Sequence, residues 1–308
     1  MNFRGKKIGV LMGGASRERE ISLKSGEACL KALESKGYKV TPVFVDAELP
    51  FVLREMGVDV AFIALHGRWG EDGTVQGLLE LMGIPYTGSG VLASALSMDK
   101  VQTKRIMRSE GIPTSEYRIL HYPEGIIGPP ADSEFLHRPI VVKPSREGST
   151  IGVSIVREPD QLISALELAY EHGPCIIAEL YITGREVAAA ILDREPLPLV
   201  EIRPKKGHYD FESKYTAGFT EYLVPAPLTA EVTRICQDYS LRLYDALGCS
   251  GVARVDMIVT EEGNPFLLEI NTVPGMTETS LVPKAAQAAG LDFAELVERI
   301  LFSASLKA

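Results

Sequence analysis

Short apolar segments alternate with helical patterns through the first third of the chain. Residues 7–12, 40–45 and 58–65 are runs of apolar and β-branched residues, whereas 18–35 and 75–82 have apolar residues every three to four positions. Strands that are apolar on both faces and separated by helices are typical of a parallel sheet covered on both sides. The sequence therefore predicts an N-terminal α/β unit, in which ligands usually bind at the carboxyl ends of the strands.

Composition narrows the class of protein further. The chain has 308 residues and a net charge of −9, and hydrophobic residues make up 45% of it. This length suits two or three globular domains, and the negative charge argues against a general affinity for nucleic acid or anionic membranes. No segment approaches the roughly 20 apolar residues of a membrane span. The cysteines are scattered without a metal-binding spacing, which is typical of free thiols in the cytoplasm.

The remaining two thirds of the chain have a mixed pattern. Apolar segments on either side of a small, polar loop at 145–150 predict a strand–loop–strand unit, followed by a helix and a further strand. The last third contains several strands, a terminal hairpin and a long irregular stretch at 204–223 of the kind that forms lids. The sequence thus predicts an α/β fold with added α+β units. We expect its domains to be 1–96, 97–181 and 182–308.

The terminal hairpin carries the sharpest candidate site. Residues two apart on a strand share a face. The side chains of Arg254 and Asp256 should therefore lie on one face of their strand, and those of Glu269 and Asn271 on one face of the partner strand. A solvated polar face would explain this pattern, and so would an all-oxygen site for magnesium. The opposite face is already apolar, through Val255, Met257, Leu268 and Ile270. We therefore favour the metal site.

Two lysines occupy positions that are unusual for an unpaired cation. Lys143 interrupts an apolar strand just before the loop at 145–150, and Lys100 lies in the first turn of a helix, where its charge opposes the helix dipole. The loop contains small hydroxyl residues, Ser149 among them, and its backbone N–H groups are suited to phosphate, although it lacks a Walker A sequence. Each lysine alone could extend its amine to solvent, but the two together indicate phosphate ligands.

Other polar residues have both a structural and a functional interpretation. Glu179 ends an apolar strand and Glu186 follows across a turn, where an acid is either solvated or bound to a ribose hydroxyl. Glu18 enters a helix, and its charge would favour the helix dipole. His66 follows a buried strand, a position that is usually structural. Ser280 precedes a helix and would either cap it or leave its N-terminus to bind a carboxylate.

Four segments, taken in order, resemble the D-alanine–D-alanine ligase family. They are GGASREREISL at 13–23, HGRWGEDG at 66–73, VKPSREGS at 142–149 and LEINTVPGMT at 268–277. The resemblance covers essentially the whole chain, and the ordered set is specific although no single segment is decisive. It implies an ATP-grasp fold and a cytoplasmic, usually homodimeric bacterial enzyme. Such an enzyme makes the D-alanyl-D-alanine of peptidoglycan precursors through an acyl phosphate and releases ADP and phosphate.

The resemblance also implies roles for individual residues. Two magnesium ions, which manganese can replace, would bind Asp256, Glu269 and Asn271. ATP would bind Lys100, Lys143, Glu179, Leu180, Ile182 and Glu186. The family often has lysine at the position of Leu180, so that only backbone contacts are implied there. D-Alanine would bind Glu18, His66, Lys214, Ser280 and Leu281. Arg254 and the Gly275 N–H would stabilise the oxyanion, and Tyr215 in the lid would reach Ser149 and Glu18.

Three alternatives differ from this interpretation. A nicotinamide-dependent oxidoreductase is disfavoured because Gly9, Gly13 and Gly14 do not form a GxGxxG sequence. An ATP-binding regulator without turnover is disfavoured because the polar residues of the hairpin are all present. A ligase that joins D-alanine to D-lactate or D-serine is the nearest alternative, although the pair Lys214 and Tyr215 resembles the dipeptide-forming type.

Overall fold

A parallel sheet forms the N-terminal part of the computed structural model, which describes residues 3–121, 135, 138–148, 150–204, 220–277 and 279–307. Its strands run in the order β2-β1-β3, and they are β1 (Lys7–Gly13), β2 (Lys39–Val45) and β3 (Val60–Ile63). Both faces of β1 are buried, with Val10 in one core cluster and Leu11 in another. The predicted parallel sheet with two covered faces is therefore confirmed.

Five helices accompany this sheet and the segment that follows it. They are α1 (Arg19–Ser35), α2 (Leu49–Met56), α3 (Thr74–Met82), α4 (Val91–Met98) and α5 (Lys100–Ser109). The sequence patterns did not predict α2, which is only two turns long, or α4, whose small residues resemble a linker. Residues 96 and 97, between which a domain boundary was expected, both lie within α4. Among the described residues, no helix combines the length and apolarity that crossing a membrane requires.

The second sheet is antiparallel and has the strand order β4-β7-β5-β6. Its elements are β4 (Tyr117–His121), β5 (Ile140–Pro144), β6 (Ser154–Val156), α6 (Leu162–Tyr170) and β7 (Cys175–Leu180). A 3₁₀ turn at Pro159–Gln161 precedes α6, so that the helix expected between this loop and the last strand of the unit begins with a tighter turn. The loop between β5 and β6 is the predicted phosphate loop.

The third sheet is also antiparallel, in the order β11-β10-β8-β12-β13 with β9 beside β8. Its elements are β8 (Arg185–Leu192), β9 (Glu195–Pro196), β10 (Val200–Pro204), β11 (Thr220–Leu223), α7 (Ala230–Ala246), β12 (Val252–Val259), β13 (Pro265–Asn271), α8 (Leu281–Ala288) and α9 (Phe293–Phe302). The expected irregular stretch at 204–223 is wrong at both ends, because Pro204 and Thr220 are paired residues of β10 and β11. Residues 205–219 lie outside the described part of the chain.

The third sheet is buried on both faces. Along β8, Val187 and Ala189 pack with α7, whereas Ala188 and Ala190 belong to a core that includes Val10 of the first sheet. The N-terminal unit and the third sheet therefore share one apolar core. A cavity opens on this shared side, beside the polar face of the β12–β13 hairpin.

Candidate active site

A cavity of about 550 Å³ is lined by strands of the third sheet, by the loops that follow β3 and β5, and by residues of α1, α4, α5 and α8. Most of the predicted site residues line it, namely Glu18, His66, Lys100, Glu186, Arg254, Asp256, Glu269, Asn271, Gly275, Ser280 and Leu281. Four others do not, namely Lys143, Glu179, Leu180 and Ile182. Ser149, Lys214 and Tyr215 lie outside the described residues. The structure thus brings together residues that are more than 250 positions apart in sequence, from Glu18 to Ser280.

The hairpin β12–β13 places its polar residues opposite one another. Arg254 is paired in register with Asn271, and Asp256 with Glu269. A register shift follows directly, because Met257 pairs with Leu267. Leu268 is therefore the extra residue of a β-bulge, and Leu267 takes its expected place in the apolar core. The prediction of Leu268 as a core residue was wrong because strict alternation of faces does not hold across a bulge.

Cations lie directly against the two carboxylates of the hairpin. The Arg254 guanidinium donates from Nε and Nη2 to the two Asp256 oxygens, at 2.8 Å each. Lys100 Nζ is 3.1 Å from Glu269 Oε2, and it also donates to the Glu147 carbonyl at 2.6 Å. The Lys100 amine thus links the start of α5 to the hairpin and to the loop between β5 and β6.

The donor set of the hairpin suits a hard divalent cation. Asp256 and Glu269 supply carboxylates and Asn271 supplies an amide oxygen, which accepts from the Val273 N–H at 2.8 Å. No group of three or more His, Cys, Asp or Glu that would hold a metal by itself occurs among the described residues. Magnesium, however, is commonly held by one or two carboxylates together with water and phosphate oxygens. The residues present fit such an ion when a nucleotide is bound beside it.

A buried ion cluster connects α5 with the second sheet. Glu179 is 2% exposed, and its two oxygens lie 2.8 Å from Lys143 Nζ and 3.3 Å from Lys104 Nζ. Lys104 also donates to the Thr114 hydroxyl, and Ser115 donates to Glu179. Sequence reasoning missed Lys104. The sequence feature that could have identified Lys104 is its position four residues after Lys100, on the same face of the helix.

The surroundings of the cluster shift the pKa of each member. Burial lowers the pKa of Lys104 to about 8, against the opposing effect of Glu179. Burial also acts to lower the pKa of Lys143, but the Glu179 and Glu269 carboxylates outweigh it and raise that pKa above its usual value. For Glu179, burial acts to raise the pKa, whereas Lys104 and Lys143 lower it overall. Glu179 is therefore held as a carboxylate.

Glu18 lies between two glycines from different parts of the chain. It occupies the N-cap position of α1, but its side chain makes no capping hydrogen bond. A Cβ atom at Gly67 would lie 2.8 Å from Glu18 Oε2, and one at Gly148 would lie 3.2 Å from the same oxygen. Gly67 also has a φ of +68°, which favours glycine. The absence of side chains at these two positions makes room for the carboxylate.

The hydrogen bonds of His66 and Ser280 bear on whether each residue has a structural or a functional role. His66 lines the cavity, and both its ring nitrogens face protein oxygens, with Nδ1 2.9 Å from the Val273 carbonyl. Ser280 occupies the N-cap position of α8 without a capping hydrogen bond from its side chain, which instead accepts from the Thr277 N–H at 3.0 Å. Of the two interpretations of Ser280, side-chain capping of α8 is therefore excluded.

Solved structures with the same architecture include D-alanine–D-alanine ligase from Bacillus anthracis. One, described as complexed with ATP, is 38% identical and superposes with a TM-score of 0.85. A second structure from the same organism is 39% identical with a TM-score of 0.87, and each match covers 97% of both chains. The fold and the site therefore define an ATP-dependent ligase with the ATP-grasp fold.

Two sequence models of one family match nearly the whole chain. The D-ala D-ala ligase N-terminus matches residues 7–56 and 52–89, and the D-ala D-ala ligase C-terminus matches residues 106–302. Curated relatives named D-alanine–D-alanine ligase from Syntrophotalea carbinolica and Geobacter sulfurreducens are each 54% identical over 98% of this chain and at least 95% of theirs. The chain belongs to the D-alanine–D-alanine ligase family.

Proposed function

We propose that this chain joins two D-alanine molecules to D-alanyl-D-alanine at the expense of ATP, releasing ADP and phosphate, for peptidoglycan precursors. The observation that carries the proposal is the β12–β13 hairpin, on which Arg254, Asp256, Glu269 and Asn271 meet at one wall of a cavity. Membership of the family and the ATP complex of a similar chain support the same substrates.

The nucleotide would lie between the second and third sheets. Lys100 and Lys143 are our candidates for the phosphate ligands, and each forms an ion pair with a carboxylate, Glu269 for Lys100 and Glu179 for Lys143. Glu179, Leu180, Ile182 and Glu186 are the candidates for the nucleoside side. Asp256, Glu269 and Asn271 would hold two magnesium or manganese ions. When bound, these ions would neutralise the charge on the transferring phosphoryl group.

The substrates would occupy the part of the cavity next to the N-terminal sheet. The first D-alanine would place its ammonium against Glu18 and its carboxylate near His66. That carboxylate would accept the γ-phosphoryl group, so that ADP leaves. The carboxylate of the second would lie at Ser280, Leu281 and the N-terminus of α8, where N–H groups and the helix dipole favour an anion. Its neutral amine would then attack the acyl carbon, and the tetrahedral oxyanion would meet Arg254 and the Gly275 N–H. Collapse of this intermediate would form the amide and break the bond to phosphate, which would leave with the proton that the amine loses.

Closure of the site completes the proposal. An acyl phosphate hydrolyses in water, so a lid must exclude solvent while the amine attacks. We assign the lid to the segment between β10 and β11, with Lys214 on the second carboxylate and Tyr215 reaching Ser149 and Glu18. The three sheets support domains at 1–96, 97–181 and 182–308, although α4 crosses the first boundary. A cytoplasmic homodimer is the expected state, and sedimentation of the purified chain tests the dimer.

The decisive experiment measures ADP and dipeptide formation from ATP and magnesium. The amino acid is D-alanine, L-alanine, or D-alanine together with D-lactate. We expect ADP with D-alanine alone, matched one to one by D-alanyl-D-alanine. ADP only in the presence of D-lactate would reassign the chain to depsipeptide synthesis. Bound ATP without ADP in any mixture would contradict enzymatic function altogether.

A further inference from the structure

In the turn at 273–277, which follows β13, side chains accept hydrogen bonds from three backbone N–H groups. Val273 donates to Asn271 Oδ1 at 2.8 Å, Met276 to Ser25 Oγ at 3.2 Å, and Thr277 to Ser280 Oγ at 3.0 Å. The residue at 274 is proline and has no N–H. Among the described residues 273–277, the Gly275 N–H is the one that has no protein acceptor. Because Gly275 lines the cavity, that N–H is available to a ligand.

A buried serine of the N-terminal unit fixes one side of this turn. Ser25 lies in the middle of α1, is fully buried, and is separated from Met276 by 251 positions. Its hydroxyl is also 3.0 Å from His66 Nε2. The other ring nitrogen, Nδ1, lies 2.9 Å from the Val273 carbonyl. Ser25 and His66 therefore hold the turn on both sides of Gly275.

The chemistry of these groups determines which atom donates and which accepts in each hydrogen bond. A carbonyl oxygen only accepts, so the bond to Val273 requires the proton on His66 Nδ1. In the neutral imidazole, Nε2 then accepts from the Ser25 hydroxyl, and the Ser25 oxygen accepts from the Met276 N–H. Every buried polar atom of the chain Met276–Ser25–His66–Val273 is satisfied by this arrangement. An apolar side chain at 25 would leave a buried N–H and a buried ring nitrogen unpaired.

We propose that Ser25 is a positioning residue, which acts through His66 and Met276 to hold the Gly275 N–H at the place where the oxyanion of the tetrahedral intermediate forms. This inference rests on the proposed function, because it assigns the Gly275 N–H to that oxyanion. Ser25 touches no substrate in this proposal. It affects the transition state because a donor must stand within hydrogen-bond distance of the oxyanion to stabilise it, and a shift of the turn weakens that bond.

Ser25→Ala tests the proposal, with Ser22→Ala as the matched control. Ser22 lies one turn earlier on α1, is equally buried, and also bonds two backbone groups, the Gly13 N–H and the Ala64 carbonyl. It has no hydrogen bond to the turn at 273–277 among the described contacts. Both variants thus lose a buried hydroxyl, but only Ser25→Ala frees the turn. Hydrogen exchange of a peptide covering 271–280 reports whether the turn is loosened.

Kinetic measurements distinguish an effect on the transition state from an effect on substrate binding. We expect Ser25→Ala to lose about tenfold or more in kcat, a fraction of the loss that follows deletion of an oxyanion donor. Affinity for a phosphinate dipeptide, whose tetrahedral phosphorus mimics the intermediate, should fall by a similar factor, while KM for ATP changes less than about twofold. Faster exchange in 271–280 should accompany both changes. Ser22→Ala should leave all three quantities close to wild type.

Two outcomes would overturn the inference, and neither is confused with failure of the proposed function. If the wild-type chain makes dipeptide but Ser25→Ala loses no more than Ser22→Ala, Ser25 has no positioning role. If Ser25→Ala fails to fold, Ser25→Cys decides, since it retains the volume and offers only a weak donor and acceptor. A kcat of Ser25→Cys within about twofold of wild type would then contradict the proposal. A wild-type chain without ligase activity instead overturns the proposed function.

Discussion

Arg254 holds Asp256 in a two-pronged contact, with Nε and Nη2 each 2.8 Å from a different carboxylate oxygen. The two residues stand on the same face of β12 and open into the cavity. Arg254 is thus oriented by a carboxylate that we also expect to bind a metal ion. A guanidinium in this fixed position is suited to stabilise charge that appears during the reaction, since it needs no reorganisation at that moment.

Removal of Arg254 should therefore lower turnover strongly. We expect Arg254→Ala to lose on the order of 10²-fold in kcat, as for deletion of one oxyanion donor. Steady-state measurement of ADP release with saturating D-alanine checks this. Arg194→Ala is the control, because Arg194 makes an exposed ion pair with Asp245 away from the cavity. A near-wild-type kcat for Arg254→Ala would exclude the proposed role.

Loss of Glu269 should weaken the binding of divalent cations. Glu269 faces Asp256 across the hairpin, so Glu269→Gln removes one of two opposed carboxylates. With ADP present, we expect its affinity for Mn²⁺ to fall on the order of tenfold or more. Calorimetric titration measures the affinity and the number of ions. Glu262→Gln, at the exposed turn of the same hairpin, should bind Mn²⁺ like the wild type. Equal affinities in both variants would remove Glu269 from the metal site.

A methyl group at Gly67 should disturb D-alanine binding by displacing Glu18. Gly67→Ala puts a Cβ 2.8 Å from Glu18 Oε2, whereas Gly83→Ala meets no atom within 4 Å. Both glycines have a left-handed φ, of +68° and +66°, so both variants carry a strain of about 1–2 kcal/mol. We expect KM for D-alanine to rise severalfold only in Gly67→Ala. If both variants behave alike in kinetics and thermal unfolding, backbone strain alone explains the result.

Lys104 should give the free energy of unfolding a dependence on alkaline pH. Burial lowers its pKa from 10.5 to about 8 in the folded chain. Between these values the unfolded chain binds more protons, so the contribution of Lys104 makes the free energy of unfolding rise with pH. The slope is on the order of 1 kcal/mol per pH unit. Glu179 and Lys143 do not titrate in this window, since the pKa of Glu179 is lowered and that of Lys143 is raised.

Urea unfolding at pH 8 and pH 10 checks this contribution. The difference in stability between wild type and Lys104→Met should change in favour of the wild type as the pH rises. Lys31→Met, which alters an exposed lysine on α1, should retain the wild-type slope. A slope for Lys104→Met equal to that of the wild type would mean that Lys104 does not change its charge in this range.

Sequence patterns predicted the parts of the site that depend on local spacing. Arg254 and Asp256 share a face because they are two apart on a strand, and their apolar neighbours indicated which face was free. The bulge at Leu268 was not predictable, since it depends on the pairing partner rather than on either strand alone. Lys104 resembled an ordinary solvated lysine, because its burial arises only when α5 packs against a second sheet.

The hydrogen bonds of Ser25 were also not predictable from local sequence. A serine within a helix has no distinctive pattern, and its partners Met276 and His66 are distant in sequence. The fold as a whole was easier, since β1 and α1 follow strong local periodicities. The short helix α2 and the small-residue helix α4 were missed, because local propensity in two turns is weak evidence against a loop.

The apolar core shared by the first and third units has a consequence for biosynthesis. Leu33 of α1 packs in the same cluster as Leu301 of α9, and near the end of the chain Ser305 pairs with Tyr86. On the ribosome, α1 emerges long before α9 exists. The face of α1 that packs against α9 therefore stays uncovered until α9 has been translated. Folding of the N-terminal half cannot finish first, and a truncated or stalled chain would present that uncovered surface to chaperones and proteases.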